Sequence, residues 1–479
     1  MAASRASSLS DKEHHHEPKT TVTPPTQVHL GRLEEGEEEG EVDGVFGLQK
    51  VEGRVDFRAV GWVSTSVLMT KATVGLGVLS LPSSFETLGL VPGILILLFI
   101  ATITCYTQYI ITGPWKQNHP TCYSTLEAGR ILWGPVGGEI AGVGYWLFML
   151  FVAGAGIVGL STALNAISLH ATCTAWFVLV AAVVTFPFAS LRTLGSIKFV
   201  GWIGLASVVV SILLVTIAVG AGGRPSPAPQ TGPWEKGIVY FGSPTFADAM
   251  SAISNIMLSF AGACIFLPIV SEMRDIRQAP KAVFASQAFV TAFYLSISVV
   301  VYMYAGQYVA SPALGTAGVL IKRVAYGLAI PALLAAATMF THLSAKWIFV
   351  RALRNSRHLT QSTKTHWTVW LSCVFGCLAL AYIVASGIPV FGGLVSLIGA
   401  LFGSFLSVSL PAYMWLFDNR QRSEKGAKYW AMWVINVLIF LVGLFITVGG
   451  TYGSVVAIRA EVKANGGSAW SCADNSGSS

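Results

Sequence analysis

Charge is what this sequence has least of. Only 11% of its 479 residues are Asp, Glu, Lys or Arg, against about 25% in soluble domains. With 53% hydrophobic residues and a mean hydropathy of +0.64, it cannot clothe a globular surface in polar groups, and ordinary soluble folds are excluded. Ligands for metal or redox chemistry are missing too. The seven cysteines are scattered, with no spacing of a metal site or a redox pair. The apolar runs hold no H-E-x-x-H, no G-x-S-x-G and no paired aspartates, which argues against a membrane enzyme. No cofactor and no metal are expected. No N-x-[ST] acceptor occurs, and the polar N-terminus lacks the apolar core of a signal peptide, so the first apolar run is expected to direct insertion itself.

What the chain has instead is a succession of apolar runs near twenty residues, each able to cross a hydrocarbon core of about 30 Å. Eleven spans are predicted, at roughly 61–85, 88–112, 139–168, 172–190, 197–220, 245–271, 282–305, 320–349, 366–386, 390–416 and 429–451. An all-α polytopic protein embedded in a lipid bilayer follows. The net charge of +7 is no sign of nucleic acid, because the basic residues sit in short loops between spans. Those loops divide unequally. Arg274, Arg277 and Lys281, then Arg351, Arg354, Arg357 and Lys364, then Arg420, Arg422, Lys425 and Lys428 share the side of the N-terminus, together with Lys116, Arg130, Arg192 and Lys198. The other side has Arg224, Lys236, Lys322, Arg323, Arg459 and Lys463. The positive-inside rule then makes the N-terminus cytoplasmic and the C-terminus non-cytoplasmic.

Three parts result: a tail over 1–57, a span domain over 58–452, and a short tail over 453–479 on the far side. The first carries "LEEGEEEGEVDG" and too little apolar surface to fold; its run His14 to His16 is read as solvated tail. Cys173 and Cys472 both fall on the far side, where a disulfide between them is an open question.

Two spans are interrupted. Span 1 reads "TVGLGVLSLP" and span 6 reads "LSFAGACIFLP": each has glycine near mid-membrane and proline about a turn and a half later. They hold corresponding places in two five-span halves of opposite orientation, the pattern of a binding site between inverted repeats. Irregular backbone at that depth is tolerable only where it lines a cavity or is buried in protein. Gly75 and Gly77 let backbone approach a ligand closely. The N–H groups around Leu76 to Val78 begin a helix and suit a carboxylate, while carbonyls around Thr73 and Ser259 to Ala261 can accept from an ammonium group. A zwitterion fits both. Phe260 and Gly262 complete the candidate set, Phe260 either closing the pocket or packing. Gly154 and Gly156 in "FVAGAGIVG" either leave room beside the break or admit a neighbouring helix.

The stretches "TVGLGVLSLPSSFETLGLVPG", "SFAGACIFLPIVSEMRDIRQAPKA" and "LVSLIGALFGSFLSVSLPAYMWL" resemble the amino acid/auxin permease family of the APC superfamily. "ITGPWKQNHPTCYSTLEAGRILWGPVG" and "FASLRTLGSIKFVGWIG" are similar to filamentous-fungal neutral amino acid permeases of the methyltryptophan-resistance type. The resemblance covers about residues 55–450 and leaves out both tails. It implies a LeuT-like fold of five plus five inverted spans with an eleventh added. It also implies uptake of neutral aliphatic and aromatic amino acids with protons. The expected place is the plasma membrane; a vacuolar exporter and a receptor without transport are the alternatives.

Ionisable groups within spans are costly and therefore functional candidates. Lys71, one turn before the first break, is expected to snorkel or to latch an inner gate with Glu272 or Asp275. His342, Lys346 and Thr338 share one face of span 8 at helical spacing. Sodium-coupled relatives of this fold hold an ion with hydroxyls there. Thr341 and Ser344 supply hydroxyls, but His342 and Lys346 beside them speak for a proton; a packing role for His342 is the other reading.

Overall fold

The computed structural model describes residues 60–191, 194–221, 224–354, 356, 358, 363–421, 426–464 and 470–476, with backbone alone over 194–201 and at 464. The N-terminal tail, with His14 to His16, lies outside the described residues, as does most of the loop that carries Arg357.

Among the described residues nine helices are long and apolar enough to cross a membrane, and the bent pair Trp62–Thr73 and Leu76–Leu88 makes a tenth. The 16-residue apolar helix Thr174–Ala189 stands where the fourth span is expected. Spans 2, 5, 7, 8 and 9 are Leu90–Asn118, Leu194–Gly220, Ala279–Ala305, Val319–Ala352 and Lys364–Gly387. Span 10, Phe391–Asp418, contains two π-helical turns at Gly399–Gly403 and Phe405–Ser409.

Span 3 begins earlier than the apolar pattern predicts. Its helix runs over Thr125–Ser168 and bends at Trp133 and Gly134 (φ 73°), just before Pro135. The start is fixed by a capping box: Glu127 N–H donates to Ser124 Oγ, and the Ser124 N–H to Glu127 Oε2 at 3.0 Å. That S-x-x-E signal stands in the sequence, but the polar turn behind it hides the helix from a hydropathy reading. Span 11 likewise outruns its expected end at 451. Its helix continues over Ala427–Ala464, because "SVVAIRAEVKA" is made of residues a helix accepts as it leaves the apolar layer.

Spans 3, 4, 8 and 9 pack on one another, with span 5 against span 8, while span 11 lies along spans 6 and 10. "FVAGAGIVG" makes the first packing possible. A Cβ on Gly156 would stand 2.9 Å from Ala337 N, and one on Gly154 3.1 Å from Val384, so span 3 meets spans 8 and 9 at backbone distance. Across the inner end of this frame, Arg351 binds Glu139 at 2.6 Å.

The number of spans can be compared with which ends meet. Val60, before span 1, pairs with the chain after span 6: its N–H donates to Glu272 O at 3.2 Å and its carbonyl accepts from Arg274 N at 3.0 Å. At the opposite ends, Cys173 before span 4 is disulfide-bonded to Cys472 after span 11. Six spans separate the first pair and eight the second, so each pairing joins ends that the span count puts on one face. The bond also seats a segment. Ala473 O accepts from Thr174 Oγ1 at 2.7 Å. Asn475 accepts from Asn165 Nδ2 at 2.8 Å and donates to Ser161 Oγ at 3.1 Å. Ser476 O accepts from the buried Lys322 Nζ at 2.7 Å. Trp470 N donates to Ser386 O at 3.1 Å. Residues 470–476 thus tie together the outer ends of spans 3, 4, 8 and 9.

A cross-link between residues 299 apart in sequence removes much freedom from the unfolded chain. Cys472→Ser is expected to lower the thermal midpoint of the detergent-solubilised protein by about 5 °C. In cells, an impermeant thiol reagent should label Cys173 and Cys472 from outside only after reduction. An unchanged midpoint would show that the tie carries no stability, and labelling only after permeabilisation would reverse the sidedness.

Candidate functional site

The first half of span 1 ends at Thr73 because the backbone leaves the helix there. Val74 is extended (φ −74°, ψ 97°) and Gly75 has φ −143°, ψ −139°, before a helical turn resumes at Leu76. Span 6 stops at Ser259, passes Phe260 (φ −104°, ψ 4°) and restarts at Ala263 after Gly262. The bend in span 1 is 47°.

The two breaks face each other and interlock reciprocally. A Cβ on Gly77 would stand 2.6 Å from both Cα and Oγ of Ser259, and a Cβ on Gly262 would stand 2.7 Å from Thr73 Oγ1. Real side chains do not approach so closely, so each glycine is the condition for the other span's position. Gly75 differs: nothing lies within 4 Å of where its Cβ would be. Of the nine residues expected at the substrate site, Thr73, Gly77, Ser259 and Gly262 are therefore in mutual contact, and Gly75 borders open space. Leu76 and Val78 are buried, and Ala261 sits under Gly403 of span 10.

Breaking a helix strands carbonyls that need partners. The hydroxyls at the site turn back on their own helices: Thr73 Oγ1 donates to Met69 O at 2.9 Å, Ser259 Oγ to Asn255 O at 3.0 Å, and Ser80 Oγ to Gly77 O at 2.9 Å. The carbonyls of Thr73 and Ser259, expected to await an ammonium group, have an occupant. Tyr294 of span 7 places its Oη 3.0 Å from Thr73 O and 3.2 Å from Ser259 O. Sequence reasoning passed over Tyr294, since one tyrosine in an apolar span carries no signal of what its hydroxyl meets. Phe260 is fully buried with its ring edge-on to Tyr294, centroids 5.2 Å apart. In this conformation it is a wall behind the break.

The expected coupling and gating residues lie elsewhere. Lys71, half-buried, holds its Nζ 5.0 Å from the centre of the Trp202 ring in span 5. Glu272 is exposed, and its part in closing the inner end is played by its backbone carbonyl, bonded to Val60. Asp275 accepts from Arg277 N and Gln278 Nε2, both at 3.0 Å, and so caps its own loop. Surface cavities of about 420 and 370 Å³ open at this end, the first lined by Gly61, Trp62 and Arg274 and the second by Lys116 and Arg277. Neither reaches Gly75.

On span 8, His342 is fully buried; its Nδ1 donates to Ala189 O at 3.2 Å, and its ring meets Trp370 edge-on at 5.0 Å. It packs at the junction of spans 4, 8 and 9, while Lys346 is exposed. Ser344 Oγ donates to Phe340 O at 2.9 Å. The hydroxyls of Thr338 and Thr341, and His342 Nε2, are buried without a hydrogen-bond partner among the described residues.

Residues 58–456 match the family model described as "Transmembrane amino acid transporter protein". Among curated relatives, a "Transmembrane transporter" of Gibberella moniliformis is 34% identical over 441 residues, covering 92% of each chain. The "N amino acid transport system protein" of Neurospora crassa is 29% identical over 412 residues, covering 84% of this chain and 86% of its own. Among solved structures, the inward-facing conformation of Mhp1 aligns with 85% of this chain and 92% of its own at a TM-score of 0.52 and 12% identity, a likeness of fold alone. The LeuT-like fold expected from the sequence is thereby matched by a solved protein. With its paired broken helices and a family match over nearly all its described residues, the chain belongs to the amino acid/auxin permease family of transmembrane amino acid transporters.

Proposed function

We propose that this protein carries neutral amino acids across the plasma membrane, driven by a proton gradient, with the substrate's backbone groups held at the breaks of spans 1 and 6. The observation that carries the reading is the reciprocal glycine contact with an open side at Gly75. Two helix interruptions meet at mid-span, and the space beside one of them is unfilled. The half-helix from Leu76 presents N–H groups that have no partner within the helix and a positive dipole end, which favour a carboxylate. The carbonyls of Thr73 and Ser259 converge on one donor, which favours an amino group. Leu76, Val78, Phe260 and Ala261 put apolar surface around them, as an uncharged side chain requires.

For coupling, His342 is the histidine of span 8, and its unpartnered Nε2 is where a proton would be taken up. A sodium reading has its own observation, the unpartnered hydroxyls of Thr338 and Thr341 on the same helix. Lys71 is proposed to steady the inner half of span 1 through Trp202, while the backbone of Glu272 fastens its start.

Two experiments test these statements. Gly75→Val should reach the cell surface normally but raise the KM for uptake at least about tenfold, because its side chain enters the substrate's space without striking protein. Gly77→Val should instead lose folded yield, since it collides with the Ser259 backbone. A normal KM in Gly75→Val would move the substrate away from this break.

In proteoliposomes, uptake of a neutral amino acid should rise as external pH falls from about 7 to 5, collapse with a protonophore and ignore replacement of sodium by choline. His342→Gln should weaken accumulation more than amino acid exchange, because exchange does not return an empty carrier. Loss of uptake on sodium removal alone would transfer coupling to Thr338 and Thr341. A full pH response in His342→Gln would leave the histidine as packing.

A further inference from the structure

Tyr294 is the side chain at which the two breaks and span 7 come together. Its ring is fully enclosed, edge-on to Phe260 at 5.2 Å and near Phe293 at 6.2 Å. Neighbouring carbonyls are engaged by backbone: Thr70 O by Val74 N, Met257 O by Phe260 N, Leu258 O by Ala261 N, and Phe260 O by Gly262 N. Thr73 O and Ser259 O, one from each broken helix, are held by the single Tyr294 hydroxyl at 3.0 and 3.2 Å.

One hydroxyl has one proton to donate. It cannot serve both carbonyls fully, so each has a shared, weakened bond. An ammonium group has three protons and a charge, and charge-assisted hydrogen bonds are roughly twice as strong as neutral ones. The two carbonyls therefore form a site that a phenol fills incompletely and an amino group would fill better.

We propose that Tyr294 is an internal stand-in for the substrate's amino group: it occupies the Thr73 and Ser259 carbonyls in the empty carrier and is displaced when an amino acid arrives. The inference rests on the reading that substrate binds at the breaks. Tyr294 is thus a positioning residue. In the empty state it spares the two carbonyls the cost of burial without a donor and pins spans 1 and 6 to span 7. Substrate takes over both carbonyls, and span 7 is released from them. Binding is coupled in this way to a change in which spans move together.

The test is equilibrium binding to the purified full-length protein, comparing a neutral amino acid with the same molecule lacking its amino group. Tyr294→Phe removes the competing donor and keeps the ring; Tyr294→Met serves the same comparison if the phenylalanine variant is unstable. The amino acid should bind about fivefold tighter, the worth of one net hydrogen bond, while the deaminated analogue gains nothing. A merely structural tyrosine would not produce a gain confined to ligands with an ammonium group. If wild type binds the amino acid and the variants bind it equally or more weakly, Tyr294 is a fixed cap and the inference falls alone. If wild type binds no amino acid, the substrate reading falls and takes this inference with it.

Discussion

The constraint on which the site depends is the contact of span 1 with span 6, where Gly77 lies against the Ser259 backbone and Gly262 against the Thr73 hydroxyl. Much else follows from it. Helices can meet this closely only if one partner at each contact lacks a Cβ. Interrupting both there strands buried carbonyls, which cost about 1–3 kcal/mol each if left unpaired. Tyr294 answers that need with one hydroxyl for two carbonyls. Being answered incompletely is what, on the proposed reading, makes the position useful to a charged amino group.

Around this pair the ties between spans differ in kind. Spans 3, 4, 8 and 9 are fastened at both ends, by Arg351 with Glu139 on one side and by the segment around Cys472 on the other. Glycine contacts at Gly154 and Gly156 leave little slack between them. Spans 1, 6 and 7 are joined by the Val60 backbone bridge, the Tyr294 hydroxyl and the hydroxyl pair of Thr70 with Ser286. Rocking a site between two faces of a membrane requires a fixed frame beside a moving group, and spans 3, 4, 8 and 9 are proposed as that frame. His342 belongs to the frame, bonded to Ala189 and packed on Trp370. If it carries the coupling proton, it acts from the frame and not from the moving spans.

Much of this was legible in the residues. The spans follow from hydropathy because a membrane leaves few ways to satisfy backbone. The breaks follow from paired Gly and Pro, since these residues change backbone rules locally. The start of span 3 was not legible to hydropathy, because a capping box at Ser124 and Glu127 holds a polar turn in a helix. Nor were the partners of side chains. The hydroxyls of Thr73 and Ser259 bond within their own helices, and Tyr294 arrives from more than thirty positions along the chain from either. Cys173 and Cys472 could be placed on one side by counting crossings. That Asn475 and Ser476 would settle against Asn165 and Lys322 depends on packing that no local pattern encodes.

The central claim is that the breaks of spans 1 and 6 hold the two backbone groups of an amino acid. A structure of the protein with a bound neutral amino acid tests it most directly. The account predicts the carboxylate against the N–H groups of Leu76 to Val78, beside Gly75, and the amino group within hydrogen-bond distance of Thr73 O and Ser259 O. A ligand bound elsewhere, or one whose amino group is held by side chains away from these carbonyls, would contradict it.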